Sequence, residues 1–242
     1  MKKSIIITGA SRGIGQAIAF QSANEYDRIA ITSCHHPEEL MDTRERLINL
    51  GVECIAVSGD SGDHVFVQKF VDTIFTNWGR IDALVNNAGI SYMGLLSEMD
   101  IADWELLLHT NLSSVFYYCH AVIPHMVHEH AGRILNISSV WGESGASCEA
   151  AYSATKGGIN ALTQALGKEL APSRIAVNAL ACGAIRTNMN AMLSPEETKN
   201  LEESIPYGRM ATPEETAEFA LGILSAPDYL TGQIIRFDGG WL

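Results

Sequence analysis

The feature that most constrains the fold is a short apolar run that leads directly into a glycine-rich turn. Residues 4–8 read Ser-Ile-Ile-Ile-Thr, a continuous β-branched run that is typical of a parallel strand buried on both faces. The turn Gly-Ala-Ser-Arg-Gly-Ile-Gly follows over residues 9–15, and apolar residues then recur at helical spacing. A strand, a glycine turn and a helix N-terminus together offer free backbone N–H groups and a positive dipole end to a pyrophosphate. The sequence therefore predicts a nucleotide-binding α/β fold, with these turn residues as candidate contacts: Gly9, Ser11, Arg12, Gly13, Ile14 and Gly15.

Strand-like and helix-like segments alternate along the rest of the chain, with short connections. This alternation predicts a doubly wound parallel sheet with right-handed crossovers. No internal repeat or low-complexity linker interrupts it, so we expect one domain over residues 1–242. The polar segment 188–208 is predicted to be a mobile flap with a short helix from Pro195, although an ordinary surface insertion would have the same composition. The predicted later strands are 28–33, 52–57, 81–85, 133–138, 174–181 and 233–237, and the predicted later helices are 37–50, 63–78, 101–130, 151–170 and 213–225.

Composition limits the partners that such a domain can have. With 16 basic and 28 acidic residues, the formal charge of −12 argues against a nucleic-acid or anionic-membrane surface. No apolar run approaches the roughly 18 residues that cross a bilayer. The five cysteines are scattered, form no Cys-x-x-Cys pair and follow no signal peptide, so we expect reduced, mostly buried thiols in a soluble cytoplasmic protein. Histidines at 125, 128 and 130 lack a second ligand cluster, and we predict no metal site.

A tyrosine and a lysine one helical turn apart are the strongest candidates for chemistry. If residues 151–170 are helical, Tyr152 and Lys156 lie on one face, where an ammonium can approach a phenol. A phenol titrates near ~10 in isolation, and a positive charge within about 4–6 Å lowers its pKa towards the range of a general acid or base. Ser139, from the end of a predicted strand, can hold a carbonyl oxygen beside the phenol. The Tyr-x-x-x-Lys spacing alone occurs by chance in many helices.

Two further polar features accompany this pair. Asn111 lies among apolar residues in the middle of a predicted helix, where it either holds a water or satisfies a bend. The sequence Asn-Asn-Ala-Gly follows the fourth predicted strand over residues 86–89, and its small residues let the backbone approach a flat ring or a ribose. A simple turn is the alternative for that cluster. The candidate binding residues here are Asn87, Ala88 and Gly89.

The end of the second predicted strand indicates which nicotinamide cofactor is preferred. NAD enzymes of this fold normally have an acidic residue there, which bonds the ribose hydroxyls. Here the strand ends Thr-Ser-Cys-His-His over residues 32–36, with no acid. Arg12 can face a 2′-phosphate, with Ser33 and His35 as further donors, so we predict NADP(H) rather than NAD(H). Alternatively, Arg12 is a solvated loop residue and the histidines cap a surface turn.

These motifs together resemble the short-chain dehydrogenase/reductase family, and they occur in family order along the whole chain. The resemblance implies a seven-stranded Rossmann sheet and commonly a homotetramer. It also implies Asp60 beside the adenine, Asn87 and Ala88 along the ribose, and the Gly183 loop at the carboxamide and phosphates through Ile185 and Thr187. Cys182 departs from the family pattern, in which proline usually precedes this glycine. The motifs are Thr8-Gly9-x-x-x-Gly13-Ile14-Gly15, Asn86-Asn87-Ala88-Gly89, Asn111, Ser139, Tyr152-x-x-x-Lys156 and Gly183-x-x-x-Thr187.

The resemblance also implies a mechanism, in which hydride passes from a nicotinamide to a ketone. Tyr152 would donate the proton to the carbonyl oxygen, and Ser139 would hydrogen-bond that oxygen. Lys156 would hold the ribose hydroxyls and lower the Tyr152 pKa. Asn111 would hold a water that links Lys156 to solvent. The catalytic candidates are therefore Asn111, Ser139, Tyr152 and Lys156.

Three hypotheses remain for the biological role. General similarity is greatest to 3-oxoacyl-acyl-carrier-protein reductases, yet the turn near His128 offers few basic residues to an acidic carrier. The stretches 137–142 and 145–149 resemble reductases of the 5-aminopentanone group on a lysine of elongation factor P, where Trp141 and Glu149 would contact the stem and the amine. Alternatively, Trp141 is a packing residue and Glu149 is a solvated residue at a helix start. The third hypothesis is an NADP-binding regulatory protein without catalysis, against which the retained catalytic candidates argue.

Overall fold

A computed structural model of the chain describes residues 2–190 and 193–242. In these residues seven parallel strands form one sheet in the order β3-β2-β1-β4-β5-β6-β7. The predicted doubly wound Rossmann-type sheet is therefore confirmed. The strands are β1 (Ser4–Thr8), β2 (Arg28–Ser33), β3 (Glu53–Ser58), β4 (Ala83–Asn86), β5 (Gly132–Ser139), β6 (Ile175–Cys182) and β7 (Ile234–Phe237).

Helices cover both faces of the sheet, and their bounds lie close to those predicted from the sequence. They are α1 (Gly13–Ser22), α2 (Pro37–Asn49), α3 (His64–Trp78), α4 (Ile101–Leu107), α5 (Ser114–Glu129), α6 (Trp141–Ser144), α7 (Ala150–Leu170), α8 (Pro195–Ser204) and α9 (Pro213–Leu224). The short helix expected from Pro195 is α8. Residues 191 and 192 of the predicted flap lie outside the described residues.

The long helix predicted over residues 101–130 is present from Ile101 to Glu129, but it is not α-helical throughout. A π-helical segment, Leu108–Ser113, separates α4 from α5. The apolar residues keep a helical period across the interruption, so the sequence pattern does not reveal it. Such segments are frequent at functional sites, and this one contains Asn111.

Alternate residues of β1 divide the core into two layers. Ile5 and Ile7 pack on the face covered by α1, α2 and α9, and Ile6 packs on the face covered by α3, α5 and α7. All three side chains are fully buried. Burial on both faces explains why the strand is a continuous apolar run and not an alternating one. β1 and its neighbour β4 also mark the point where the strand order reverses, and in such sheets ligands bind beyond the carboxyl ends of the strands at this point.

The five cysteines are free thiols in different environments. Cys119 and Cys182 are buried and Cys54 is half-buried, but Cys34 and Cys148 are exposed. The expectation of mostly buried thiols is therefore wrong for two of them, because both lie in loops outside the two core layers. Among residues 2–190 and 193–242, no helix has the length and hydropathy needed to cross a bilayer.

Candidate active site

The glycine turn is closely packed against the segment that follows β4. Gly9 has a φ of +65°, and a Cβ added there would lie 2.9 Å from the Cα of Ala88. A Cβ at Gly15 would lie 2.4 Å from Nδ2 of Asn87. Helix α1 begins at Gly13, so its free N–H groups face the same edge of the sheet. Glycine is thus required at positions 9 and 15 because Ala88 and Asn87 approach the turn closely. A phosphate cradle, that is, a turn that binds a phosphate through its main-chain N–H groups, also needs small residues.

Hydrogen bonds fix the turn to this segment. The Oγ1 of Thr8 accepts from the N–H groups of Asn87 and Ala88, both at 2.9 Å. The Nδ2 of Asn87 donates to the carbonyl oxygens of Thr8 and Gly9, at 2.9 and 3.0 Å. The Nδ2 and the main-chain N–H of Asn87 are therefore both engaged by the turn, and the ribose-side role that the resemblance implies would fall to its other polar atoms.

An exposed arginine lies beside a buried pair of serines. The Ser33 hydroxyl, at the end of β2, donates to the Ser11 hydroxyl at 3.0 Å, and both residues are buried. Arg12 follows Ser11 and is exposed. It has no ion-pair partner among residues 2–190 and 193–242. The neighbouring Ile14 packs against the apolar core.

The predicted catalytic residues come together at the carboxyl end of β5. The Nζ of Lys156 lies 5.5 Å from the centre of the Tyr152 ring, on the face of α7 that the spacing predicted. Ser139, the last residue of β5, is hydrogen-bonded to Tyr152 and accepts the N–H of Trp141 at 3.2 Å. Lys156 is 5% exposed, and its Nζ donates to the carbonyl oxygen of Ile137 at 2.8 Å.

The ionisation of this pair differs from the sequence expectation. The pKa of Tyr152 is raised above its ordinary value, chiefly by burial and also by the charges of Cys182 and Glu149, although a hydrogen bond from Ser139 opposes the rise. Burial lowers the pKa of Lys156 to about 8. The expectation that Lys156 makes Tyr152 more acidic is therefore wrong for the isolated chain, since both groups are desolvated and the ammonium donates to a carbonyl. Tyr152 is a fully protonated phenol near neutral pH.

Asn111 connects the catalytic helix to the loop after β4. Its side chain is fully buried, its Oδ1 accepts the N–H of Ile90 at 2.8 Å, and its Nδ2 donates to the Ile90 carbonyl oxygen at 2.8 Å. Nδ2 also lies 3.3 Å from the Thr155 hydroxyl, which donates to the carbonyl oxygen of Tyr152 at 2.7 Å. The side chain is thus occupied, and a water held at this residue would have to bind its main chain.

Gly89 brings the segment after β4 up to the catalytic residues. A Cβ added there would lie 3.3 Å from Oδ1 of Asn111 and 3.8 Å from Nζ of Lys156. The same segment contacts the glycine turn through Ala88. The Asn-Asn-Ala-Gly motif therefore extends from the glycine turn to Asn111 and Lys156.

The loop after β6 contacts the opposite side of the cradle. A Cβ at Gly13 would lie 3.5 Å from Cγ2 of Thr187, whereas a Cβ at Gly183 would lie 2.8 Å from the Cα of Asp238. Ile185 is 5% exposed and pairs with Ala211 in an isolated bridge. The side chain of Ile185 therefore belongs to the core, and only its main chain is available for the role implied at the carboxamide.

Two aromatic rings and a carboxylate lie next to Ser139 and Tyr152. Trp141 is 4.9 Å from Trp241, centre to centre, and its indole N–H is hydrogen-bonded to Glu149. Burial raises the pKa of Glu149, which the hydrogen bond from Trp141 partly offsets. Trp241 was not identified from the sequence, because nothing in the local pattern indicates that the end of the chain returns to this site.

Asp60 lies in the loop after β3, where Oδ1 accepts the N–H of Gly62 at 2.8 Å and Oδ2 is 3.7 Å from Nε2 of His109. His109 was also not identified from the sequence. The available signal was its position two residues before Asn111. Among the described ranges 2–190 and 193–242, no group of three or more histidine, cysteine, aspartate or glutamate residues could hold a metal ion.

A parallel sheet with a glycine cradle at its reversal point, and a tyrosine and a lysine beside that cradle, defines a class of nucleotide-dependent enzymes. A model of the short chain dehydrogenase family matches residues 3–198. The 3-oxoacyl-acyl-carrier-protein reductase FabG of Aquifex aeolicus (strain VF5) is 37% identical over 239 residues, which cover 98% of this chain and 96% of that relative. The "Uncharacterized oxidoreductase YmfI" of Bacillus subtilis (strain 168) is 35% identical over 243 residues, covering 100% and 99%.

Among solved structures, a gluconate dehydrogenase candidate from Agrobacterium tumefaciens superposes with a TM-score of 0.93 and 33% identity, covering 99% of this chain and 95% of that one. The chain belongs to the short-chain dehydrogenase family. The predicted resemblance is confirmed, and with it an oxidoreductase of CH–OH and C=O groups that uses a nicotinamide cofactor.

Proposed function

We propose that this protein is an NADPH-dependent reductase of a ketone. The observation that carries the proposal is the convergence of Ser139, Tyr152 and Lys156 at the strand end next to the glycine cradle. The turn suits a dinucleotide, because α1 begins at Gly13 within it and the N–H groups of its first turn have no side-chain cap. When bound, the nicotinamide supplies the hydride.

The raised pKa of Tyr152 suits the reducing direction. An acid that protonates a developing alkoxide has to carry its proton beforehand, and burial keeps this phenol protonated. Ser139 holds the carbonyl oxygen next to the phenol by a second hydrogen bond. Lys156, whose Nζ donates to the Ile137 carbonyl oxygen, would hold the ribose hydroxyls of a bound cofactor, and the negative charge of that cofactor would favour its protonated form.

The preference for NADPH rests on Arg12, which is exposed beside the Ser11–Ser33 pair at a strand end without an acid. A charge-assisted hydrogen bond contributes about 1.5–3 kcal/mol, so Arg12→Ala should weaken NADPH binding by about 10- to 100-fold and NADH binding by less than twofold. The matched control is Lys69→Ala, which removes a surface cation on α3. NADH binding equal to or tighter than NADPH binding by the unaltered protein would contradict this preference.

The first substrate class to test is a 3-oxoacyl group on acyl carrier protein, because several curated relatives have this reductase name. A second candidate is the 5-aminopentanone group on elongation factor P. It is favoured by Glu149, a half-buried carboxylate that accepts from Trp141 and has no ion-pair partner in the described chain. Such a carboxylate suits an ammonium group, and the Trp141–Trp241 pair suits an apolar stem.

Both substrates should be supplied in parallel with NADPH, and oxidation of NADPH followed at 340 nm. If just one of the two substrates is turned over, the substrate class is identified. Glu149→Gln should reduce turnover of the 5-aminopentanone substrate and leave that of the 3-oxoacyl substrate unchanged. A non-catalytic regulatory role is the remaining hypothesis, and turnover of either substrate excludes it. If neither substrate nor a simple ketone is reduced, the proposed function is wrong.

We further propose a cytoplasmic homotetramer that consists of a single domain over residues 1–242. The single sheet supports one domain, and the free thiols support a reducing compartment. Large apolar side chains that are exposed on α4 and α5 support association, because contact between subunits would remove them from water. They are Ile101, Leu106, Phe116 and Val127. Light scattering at micromolar concentration tests the assembly, and a monomer would contradict it.

A further inference from the structure

A histidine faces the carboxylate that lies beside the proposed adenine site. Oδ1 of Asp60 is already used, since it accepts the Gly62 N–H at 2.8 Å. Oδ2 is the oxygen that remains, and Nε2 of His109 lies 3.7 Å from it. The two side chains are 48% and 44% exposed, so a ligand can reach both of them. An imidazole and an adenine amino group would therefore approach the same carboxylate oxygen.

The imidazole lies against the loop that carries Asp60. A Cβ added at Gly62 would lie 2.2 Å from Cδ2 and 2.4 Å from Nε2 of His109. The loop is also tied to α5, because the buried Tyr118 is hydrogen-bonded to Ser61. The carboxylate and the imidazole are therefore neighbours in the fold.

His109 also belongs to the element that reaches the catalytic centre. It lies in the π-helical segment Leu108–Ser113, two residues before Asn111. Asn111 in turn holds the main chain of Ile90 through two hydrogen bonds of 2.8 Å. One short segment thus contacts both the adenine side and the catalytic side of the proposed cofactor site.

We propose that His109 is a positioning residue for the cofactor, and that its protonation withdraws the Asp60 carboxylate and weakens NADPH binding. The inference rests on the proposed function and on the place beside the adenine that the family resemblance implies for Asp60, where its carboxylate would accept the adenine amino group. A neutral imidazole carries no charge, and in the tautomer with its proton on Nδ1 it has no donor at Nε2, so Oδ2 of Asp60 stays available. A protonated imidazole is a donor at both nitrogens and carries a charge, so it competes with the adenine for that oxygen.

The other charged and titratable groups around His109 do not replace it as the switch. Asp60 faces it from the loop after β3, and Cys34 lies near Asp60 at the end of β2, where burial first and the Asp60 charge second raise the thiol pKa. Tyr118 faces the loop from α5 with a raised pKa caused mainly by burial. Glu105 is exposed one turn earlier on α4. Among these types of side chain, the imidazole is the one that changes charge between about pH 5 and 8.

The test is the dissociation constant of NADPH, measured by fluorescence titration at about pH 8 and about pH 5.5, for the unaltered protein and for His109→Gln. A half-exposed ion pair contributes about 0.2–1 kcal/mol, so acid should weaken binding to the unaltered protein about 1.4- to fivefold more than binding to His109→Gln. His128→Gln removes an exposed imidazole at the end of α5 and should keep the full response to pH. The 2′-phosphate of NADPH also titrates in this range. Each comparison is therefore made between proteins that bind the same ligand, so that the titration of the ligand cancels, and the series is repeated with NADH.

Asp60→Asn provides a second route to the same answer. This substitution removes the charge that the imidazole attracts, so the response of NADPH binding to pH should be as small as in His109→Gln. An equal response to pH in the unaltered protein and in both variants overturns the inference. Ketone reduction by the unaltered protein is assayed separately. Its absence refutes the proposed function, whereas the difference between proteins in NADPH affinity decides the role of His109.

Discussion

Replacement of Asn111 by alanine should destabilise the protein and slow its turnover. The carboxamide makes two hydrogen bonds of 2.8 Å to the main chain of Ile90, and alanine leaves both main-chain groups without a partner. An unpaired buried polar group costs about 1–3 kcal/mol. Since Ile90 is only partly buried, we expect a total loss of about 2–4 kcal/mol in the free energy of unfolding. With a urea m-value of about 3 kcal/mol/M, the unfolding midpoint should fall by about 1 M.

The kinetic consequence follows from what Asn111 holds in place. Thr155 donates to the Tyr152 carbonyl oxygen and lies 3.3 Å from Nδ2 of Asn111, so the variant loosens the helix that carries the proton donor. Misplacement of reacting groups by about 1 Å can slow a reaction about 100-fold, and we expect kcat to fall about 10- to 100-fold. The control is Asn77→Ala, an exposed amide that bonds within α3, which should cost less than about 0.5 kcal/mol. A midpoint for Asn111→Ala within about 0.2 M of the unaltered protein refutes the reasoning.

Three further predictions concern packing and the thiols. Gly15→Ala should weaken NADPH binding at least about tenfold, because the new Cβ would lie 2.4 Å from Nδ2 of Asn87. The control is Gly222→Ala, whose Cβ would have no neighbour within 4 Å and which should leave binding unchanged. Equal effects of the two substitutions in calorimetric titration would contradict the close packing of the turn. Ellman's reagent should modify Cys34 and Cys148 rapidly in the native protein and the buried thiols only on unfolding, and slow reaction of all five would be inconsistent with this exposure. Burial raises the pKa of Cys182 from 9.0 to about 12, so the stabilising contribution of the neutral thiol is present below pH 9.0 and is lost as pH rises towards about 12. Between about pH 8 and 10.5 the urea midpoint should therefore fall less in Cys182→Ala than in the unaltered protein. Equal falls in the two proteins would disprove this prediction.

The sheet could be predicted from the sequence because local patterns determine it. Residues 4–8 form a run that is apolar at every central position, and the structure buries it on both faces as β1. The glycine turn gave the position of the cradle, since only glycine permits the close approach of Asn87 and Ala88. The spacing of Tyr152 and Lys156 placed both on one face of α7.

Features that depend on distant contacts could not be predicted. The π-helical segment arises where Asn111 binds Ile90, which lies 21 residues earlier in the chain, and the helical period continues through it. Trp241 reaches Trp141 only because β7 lies next to β6 at the edge of the sheet. A sequence reader sees two tryptophans 100 residues apart and has no pattern that joins them.

The ionisation of the catalytic pair shows the same limit. The spacing correctly placed Lys156 near Tyr152, but the sequence does not report how far each side chain is buried. Desolvation opposes the charged form of both groups, so it raises the pKa of the phenol and lowers that of the ammonium to about 8. Proximity could be read from the sequence, whereas the balance between attraction and desolvation required the packed structure.

The central claim is that the half-buried phenol of Tyr152 delivers the proton that completes ketone reduction. Tyr152→Phe removes one hydroxyl and keeps the ring in place, so NADPH binding should remain within about threefold of the unaltered protein while kcat falls by at least about 100-fold, which is the lower range for loss of a general acid. The decisive measurement is single-turnover oxidation of bound NADPH by the accepted ketone in both proteins. A rate in Tyr152→Phe within about fivefold of the unaltered rate would contradict the assignment.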